Sequence, residues 1–254
     1  MTQPSLFIAS VYAPSAWNRE WYRLQRKYIE QNTPHIRVKF GVLLNGVSAE
    51  SVGTDIDVIG VCDTNTGHSE GMAQLVKYFR ASDYTHFLFL DSDCFPVHPN
   101  WFNVLIEQMQ RFGKRFAAPI RYENLDRFPH PCAFFCDAEA VKDERINFDI
   151  GHAGENILHE TVRDVGNAML PLLADILPLM RTNLVNRHPV AAAVYHHLFY
   201  HHGAGSRNFE FRVMDKYGYC DHWWKKENDD ALAEQLRNEL FTNDDAFLRG
   251  LMAL

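Results

Sequence analysis

Apolar residues recur along this chain in two rhythms, and their alternation predicts the architecture. Leu6-Phe7-Ile8-Ala9-Ser10-Val11 is a short apolar run that stops at Tyr12-Ala13-Pro14, the pattern of a buried strand passing into a loop. Trp17, Trp21, Leu24 and Tyr28 then fall at helical spacing, predicting a helix over about 16–31 with Ser15 as its cap. Strand-like runs follow at 36–44, closed by Asn45-Gly46, and at 57–61. A helix is expected over about 69–80, and the apolar run Thr85–Leu90 reads as the clearest strand. Near-continuous apolar strands separated by helices imply a parallel sheet covered on both faces, with ligands held at the carboxyl ends of its strands.

Beyond residue 100 a helix over 101–112 presents Phe102, Leu105, Ile106 and Met109 on one side, and strands are expected at 116–120 and 132–136. Further helices are predicted over about 155–165 and 230–240. No glycine- or serine-rich linker divides the chain, so the reading is a single α/β unit over 1–254.

The sequence holds 254 residues with 25 Lys and Arg against 32 Asp and Glu, a formal charge of −7. This disfavours a general polyanion binder, nucleic acid included, although a local basic groove stays open. The start Met1-Thr2-Gln3-Pro4 lacks the basic and apolar regions of a secretory leader. The longest apolar stretch, 169–180, contains Asp175 and is interrupted by Pro171 and Pro178, so no transmembrane segment is expected. Five scattered cysteines (Cys62, Cys94, Cys132, Cys136, Cys220) fit free thiols and a cytoplasmic setting.

The chemistry concentrates where Phe87-Leu88-Phe89-Leu90 ends in Asp91-Ser92-Asp93. Two carboxylates leaving one strand end can converge on a hard divalent cation, which offsets the cost of bringing them together. A second signal is His196-His197-Leu198-Phe199-Tyr200-His201-His202, followed by Gly203-Ala204-Gly205-Ser206-Arg207. Here one or two histidines are expected to act while His196 and His197 pack on a strand or helix. A third is Asp149-Ile150-Gly151-His152-Ala153-Gly154-Glu155-Asn156. Glu155 at a helix start would be kept ionised by backbone amides, as a general base requires, or would simply stabilise its helix.

The stretch from Asn65-Thr66-Gly67-His68-Ser69-Glu70-Gly71 through Leu90-Asp91-Ser92-Asp93 to Pro99-Asn100-Trp101-Phe102 resembles the GT-A glycosyltransferases, in particular their family 2-like group. That resemblance implies a GT-A-like nucleotide-binding α/β sandwich with a mostly parallel central sheet. Residues 1–100 would form the nucleotide-sugar-binding half and 101–254 the acceptor and metal-completing half. It implies Mn²⁺ or Mg²⁺ held by Asp93 and Asp91 with His202 or His201. The donor would be a nucleotide-sugar, a UDP-sugar first, and the acceptor a free hydroxyl on a glycan, lipid-linked sugar, protein or modified nucleobase. Around the donor it places Tyr12, Asn65, Gly67, Asp91, Arg121, Ser206 and Arg207. It makes Glu155 the base, with Asp149 in reserve and inversion as the outcome. Where that family carries Glu-Asp, this chain has Glu155-Asn156, one carboxylate instead of two.

Two alternatives use the same residues. A nucleotidyltransferase shares the sheet and the metal-bound carboxylates but needs a glycine-rich basic loop after the first strand, which 12–16 is not. A non-catalytic protein binding a sugar nucleotide, or zinc through the histidines, would hold its ligand without turnover. The sequence has no Cys-x-x-Cys or His-Glu-x-x-His spacing to favour zinc.

Overall fold

The computed structural model describes residues 3–33, 36–159, 161–183, 191–203 and 226–253. The chain runs β1 (Ser5–Tyr12), α1 (Pro14–Asn18), α2 (Trp21–Asn32), β2 (Arg37–Asn45), β3 (Val58–Cys62), α3 (His68–Arg80), β4 (His86–Leu90), β5 (Cys94–Pro96) and α4 (Trp101–Phe112). It continues through β6 (Phe116–Pro119), β7 (Ala133–Asp137), β8 (Gly154–Glu155), β9 (Thr161–Val162), β10 (Ile176–Leu179), β11 (Ala193–Tyr195), β12 (Phe199–His201), α5 (Lys226–Thr242) and α6 (Asp244–Met252).

The central sheet has the order β10-β6-β7-β4-β1-β2-β3. Its strands are parallel except β7, which runs antiparallel between β6 and β4. This is the mostly parallel α/β sheet expected from the sequence.

Side-chain alternation explains why the strands are apolar throughout. Phe7, Ala9, Val11, Phe87 and Phe89 face one layer with Met72, Leu75, Val76 and Phe79 of α3. Leu6, Ile8, Leu88 and Leu90 face the other with Trp101, Phe102, Leu105 and Met109 of α4. Period-2 strands buried on both faces need apolar residues at every position. A third core joins Trp21, Leu24 and Tyr28 of α2 to Phe95, Tyr200 and residues of α5 and α6.

Three local readings are corrected, and a fourth segment is resolved. The helix expected over 16–31 is two helices, α1 and α2, because Glu20 takes a left-handed conformation (φ 59°) between them. The helix expected over 155–165 is the short hairpin β8–β9. There the buried Asn156 side chain accepts the Leu158 amide at 2.9 Å, a local bond that competes with helix. The apolar stretch 169–180 divides into a 3-10 segment (Asn167–Asp175) and β10. His196 and His197 sit in the turn of the β11–β12 hairpin at positive φ and not within a strand or helix; His196 reaches Gln108 of α4 (2.8 Å), while His197 is exposed.

A small antiparallel sheet, β11-β12-β5, positions the site. β5 follows β4 after three residues, and β12 pairs with it in the register Phe199↔Pro96, Tyr200↔Phe95, His201↔Cys94. Residues about a hundred positions apart in sequence thereby meet at the carboxyl end of β4. No helix among the described residues is long and apolar enough to cross a membrane.

Candidate metal centre

Asp91 is the first residue beyond β4, and its amide donates to the Cys132 carbonyl (3.1 Å), extending the β4–β7 ladder by one step. The Cys94 amide donates back to the Asp91 carbonyl (3.0 Å), so residues 91–94 turn tightly and present both carboxylates on one side. Gln25, buried on α2, fastens this turn from below. Its amide Nε2 donates to the carbonyls of Asp91 (2.8 Å) and Cys94 (2.6 Å), while its Oε1 accepts the Tyr12 hydroxyl (2.8 Å).

From the other side, the β12 pairing delivers His201. Its Nε2 lies 3.5 Å from Asp91 Oδ2 and 3.6 Å from Asp93 Oδ1. One ligand atom from each of Asp91, Asp93 and His201 lies within 4.8 Å of the others. The spacings exceed a charge-assisted hydrogen bond of about 2.7–2.9 Å, so the three groups converge without satisfying one another. Asp91 Oδ1 is itself buried without an aligned hydrogen-bond donor. Two shielded carboxylates, one with a buried oxygen short of an aligned donor, and an imidazole form a donor set that fits a divalent cation.

The electrostatics agree. Burial works against charge on Asp91, yet the imidazoles of His68 and His201 hold its carboxyl well below the usual range. Burial likewise works against charge on His201, while Cys132, Asp93 and Asp91 push its pKa well above that of free imidazole. The centre attracts positive charge, whether a proton or a metal ion.

Of the two histidines expected to complete the centre, only His201 is offered to it. His202 Nε2 lies 3.1 Å from the Ala233 carbonyl, which can only accept, so that nitrogen carries the proton and Nδ1 accepts from the Tyr200 hydroxyl (2.8 Å). Burial first, then the charge of His201, lowers its pKa to about 3, and it packs on Trp21 as a neutral ring. Its backbone amide still serves the site, donating to the Asp93 carbonyl (3.1 Å). The neighbouring Gly203 amide donates to Asp93 Oδ2 (3.1 Å).

Tyr12, expected beside a nucleoside, is fully buried with its ring edge-on to Trp17 and its hydroxyl on Gln25, so it is closed to stacking on a base. Asn65 is exposed and accepts the Gly67 amide (3.0 Å). Gly67 takes φ 94° where the chain enters α3, with open space where a side chain would project. Ser69, in the first turn of α3, donates its hydroxyl to the Phe148 carbonyl (2.6 Å).

Arg121 is buried, and its guanidinium is engaged by Asp126 (Nε, 2.6 Å) and Asp164 (3.9 Å from His130 as well) through NH2 at 2.7 Å. It is thus neutralised by carboxylates, whereas the resemblance placed it around the donor. Glu155 stands exposed on β8 with His159 at 3.2 Å, and no helix begins there to support its charge. Asp149 is exposed, accepts the Gly151 amide (2.8 Å) and has His152 at 3.3 Å. Ser206 and Arg207 lie outside the described residues.

Two residues with no marked signal in the sequence also meet the centre: His68, whose Nε2 lies 3.1 Å from Asp91 Oδ1, and Gln25. His68 stands inside a block already singled out, between Gly67 and Ser69. Nothing in its spacing shows that the start of α3 abuts the end of β4.

No family model matches the sequence, and no curated protein proves similar to it. Among solved structures, the chain is similar to the mannosyltransferase PcManGT from Pyrobaculum calidifontis in complex with GDP-Man and Mn²⁺. That likeness has 8% identity and TM-score 0.43 over 59% of this chain and 48% of that one. It is also similar to S. aureus TarS 1-349 in complex with UDP-GlcNAc, with 10% identity and TM-score 0.44 over 71% of this chain and 59% of that one. A third is the galactosyltransferase LgtC in complex with donor and acceptor sugar analogs, with 14% identity and TM-score 0.42 over 69% of this chain and 73% of that one. The chain spans 48% of the mannosyltransferase and 59% of TarS 1-349. These are likenesses of outline, and the functional reading rests on the residues of the site.

Proposed function

We propose that this chain is a GT-A-type glycosyltransferase that moves a sugar from a nucleotide-sugar, a UDP-sugar first, to an acceptor hydroxyl with the help of a divalent cation. The observation that carries the reading is the convergence of Asp91, Asp93 and His201 at the carboxyl end of a central parallel strand. Ligands of α/β sheets bind at that edge. The resemblance of the Asn65-to-Trp101 block to family 2-like glycosyltransferases supports it.

Asp91 Oδ2, Asp93 Oδ1 and His201 Nε2 would hold the cation. One nitrogen among three donors favours Mn²⁺ over Mg²⁺. When bound, the cation supplies positive charge that neutralises the departing diphosphate, for which a chain of net charge −7 is otherwise a poor host. The chain's own part is preorganisation. Gln25 and the β12–β5 pairing fix the carboxylates before the donor arrives, so little reorganisation accompanies reaction.

Glu155 is assigned the acceptor proton on its chemistry, an exposed carboxylate open to an incoming hydroxyl, with Asp149 as the reserve and inversion the expected outcome. The acceptor class stays as broad as the sequence left it: a glycan, lipid-linked sugar, protein or modified nucleobase.

Release of nucleoside diphosphate from UDP-, GDP-, CDP- and dTDP-sugars, with Mn²⁺ and with EDTA, tests the reading. One donor should turn over and EDTA should abolish its turnover. Equal rates with EDTA, or turnover of none of the four, would count against it.

A further inference from the structure

The two oxygens of Asp91 face different imidazoles. Oδ2 lies 3.5 Å from His201 Nε2, on the side of Asp93, whereas Oδ1 lies 3.1 Å from His68 Nε2. Oδ1 is buried, and the contact with His68 is short without being aligned as a hydrogen bond.

His68 is poorly explained as a packing residue, since its side chain is 39% exposed. Its backbone, by contrast, is firmly held. Buried Asn45 at the end of β2 donates to the Gly67 carbonyl (2.9 Å) and accepts from the amide (2.9 Å) and hydroxyl (3.0 Å) of Thr66. Ser69, one residue further, is tied to the Phe148 carbonyl (2.6 Å). An exposed imidazole on a clamped backbone, aimed at a carboxylate of the cation centre, has the arrangement of an outer partner that orients a metal ligand.

We propose that His68 is a positioning residue: by holding Asp91 through Oδ1 it turns Oδ2 toward His201 and Asp93 and so sets the affinity of the centre for its cation. This rests on the cation reading above.

Mn²⁺ binding, followed by the loss of the free-ion electron paramagnetic resonance signal, tests it without reference to turnover. Wild type, Asp93→Asn, His68→Ala and His68→Gln are compared, with near-ultraviolet circular dichroism as the check on folding. His68→Ala should weaken Mn²⁺ binding by about tenfold or more. His68→Gln, whose amide nitrogen can occupy the place of Nε2, should recover most of it and remains decisive if His68→Ala disturbs the fold. If wild type binds Mn²⁺, Asp93→Asn does not, and His68→Ala matches wild type, the role of His68 is overturned while the cation centre stands. A His68→Gln variant that folds but binds as weakly as His68→Ala also overturns it. If wild type binds no Mn²⁺, both fall together.

Discussion

His201 sits directly opposite Cys94 in the antiparallel pairing of β12 with β5, and this register places its imidazole against the carboxylates of Asp91 and Asp93. Successive residues of a strand point to opposite faces, so a shift of one residue would present His202 in its place. The neighbour is accordingly committed elsewhere, with both ring nitrogens hydrogen-bonded and the ring against Trp21.

The two histidines should therefore fail in different ways when replaced. His201→Ala should lower Mn²⁺ affinity at least tenfold with a small change in melting temperature. His202→Ala should cost about 2–4 kcal/mol through a cavity against Trp21 and two lost hydrogen bonds. Chemical denaturation and Mn²⁺ titration of both variants check the contrast, and the reverse pattern would contradict it.

Gln25→Ala should both destabilise the protein and loosen the centre. The buried amide holds two carbonyls of the 91–94 turn and the Tyr12 hydroxyl, so its removal takes one hydrogen bond from each of three groups. A loss of about 2–4 kcal/mol is expected, with Tyr12→Phe costing about 1 kcal/mol because it removes one donor only. Urea unfolding of the two variants measures both figures.

Glu155→Gln should lower the turnover rate by about 10²–10⁴-fold while leaving Mn²⁺ and donor binding unchanged, if this carboxylate takes the acceptor proton. Steady-state kinetics with donor KM measured separately reads the difference. An unchanged rate moves the assignment to Asp149.

Asp143 gives a prediction away from the site. Hydrogen bonds from Arg145 (2.7 Å) and, further, Arg115 (2.8 Å) hold its carboxyl well below the usual carboxylate range. A native pKa below the unfolded value means that the unfolded chain binds more protons as pH falls. The contribution is complete above about pH 4 and is lost as pH drops through the native pKa. Asp143→Asn should cost about 1 kcal/mol at pH 7, the two arginines being partly solvated and screened. The difference from wild type should shrink as pH falls below about 4 and vanish only once pH is below the native pKa. Melting curves across pH show whether it does.

The parts legible in the sequence are those whose information is local. β1, β4 and α4 were readable because each carries its own apolar period, and α4 occupies the span that the period gives, Trp101–Phe112. The Asp91–Asp93 pair was readable because it ends such a strand. β5, β11 and β12 have three residues each, too few for any period, and exist only because they pair with one another. Whether His201 or His202 faces the carboxylates is a matter of that pairing and could not be settled from the run of histidines. The misread helix at Glu155 has a local cause that propensity does not capture, the Asn156 side chain taking the Leu158 amide. The contact between His68 and Asp91 depends on two sheet connections meeting at one edge.

The central claim, that Asp91, Asp93 and His201 grip a cation, is tested most directly by anomalous diffraction from crystals soaked in Mn²⁺ and a nucleoside diphosphate. The account predicts a manganese peak bonded to both carboxylates and to His201 Nε2. Crystals that show those three side chains ordered but no manganese among them, or manganese held only by other residues, would contradict it.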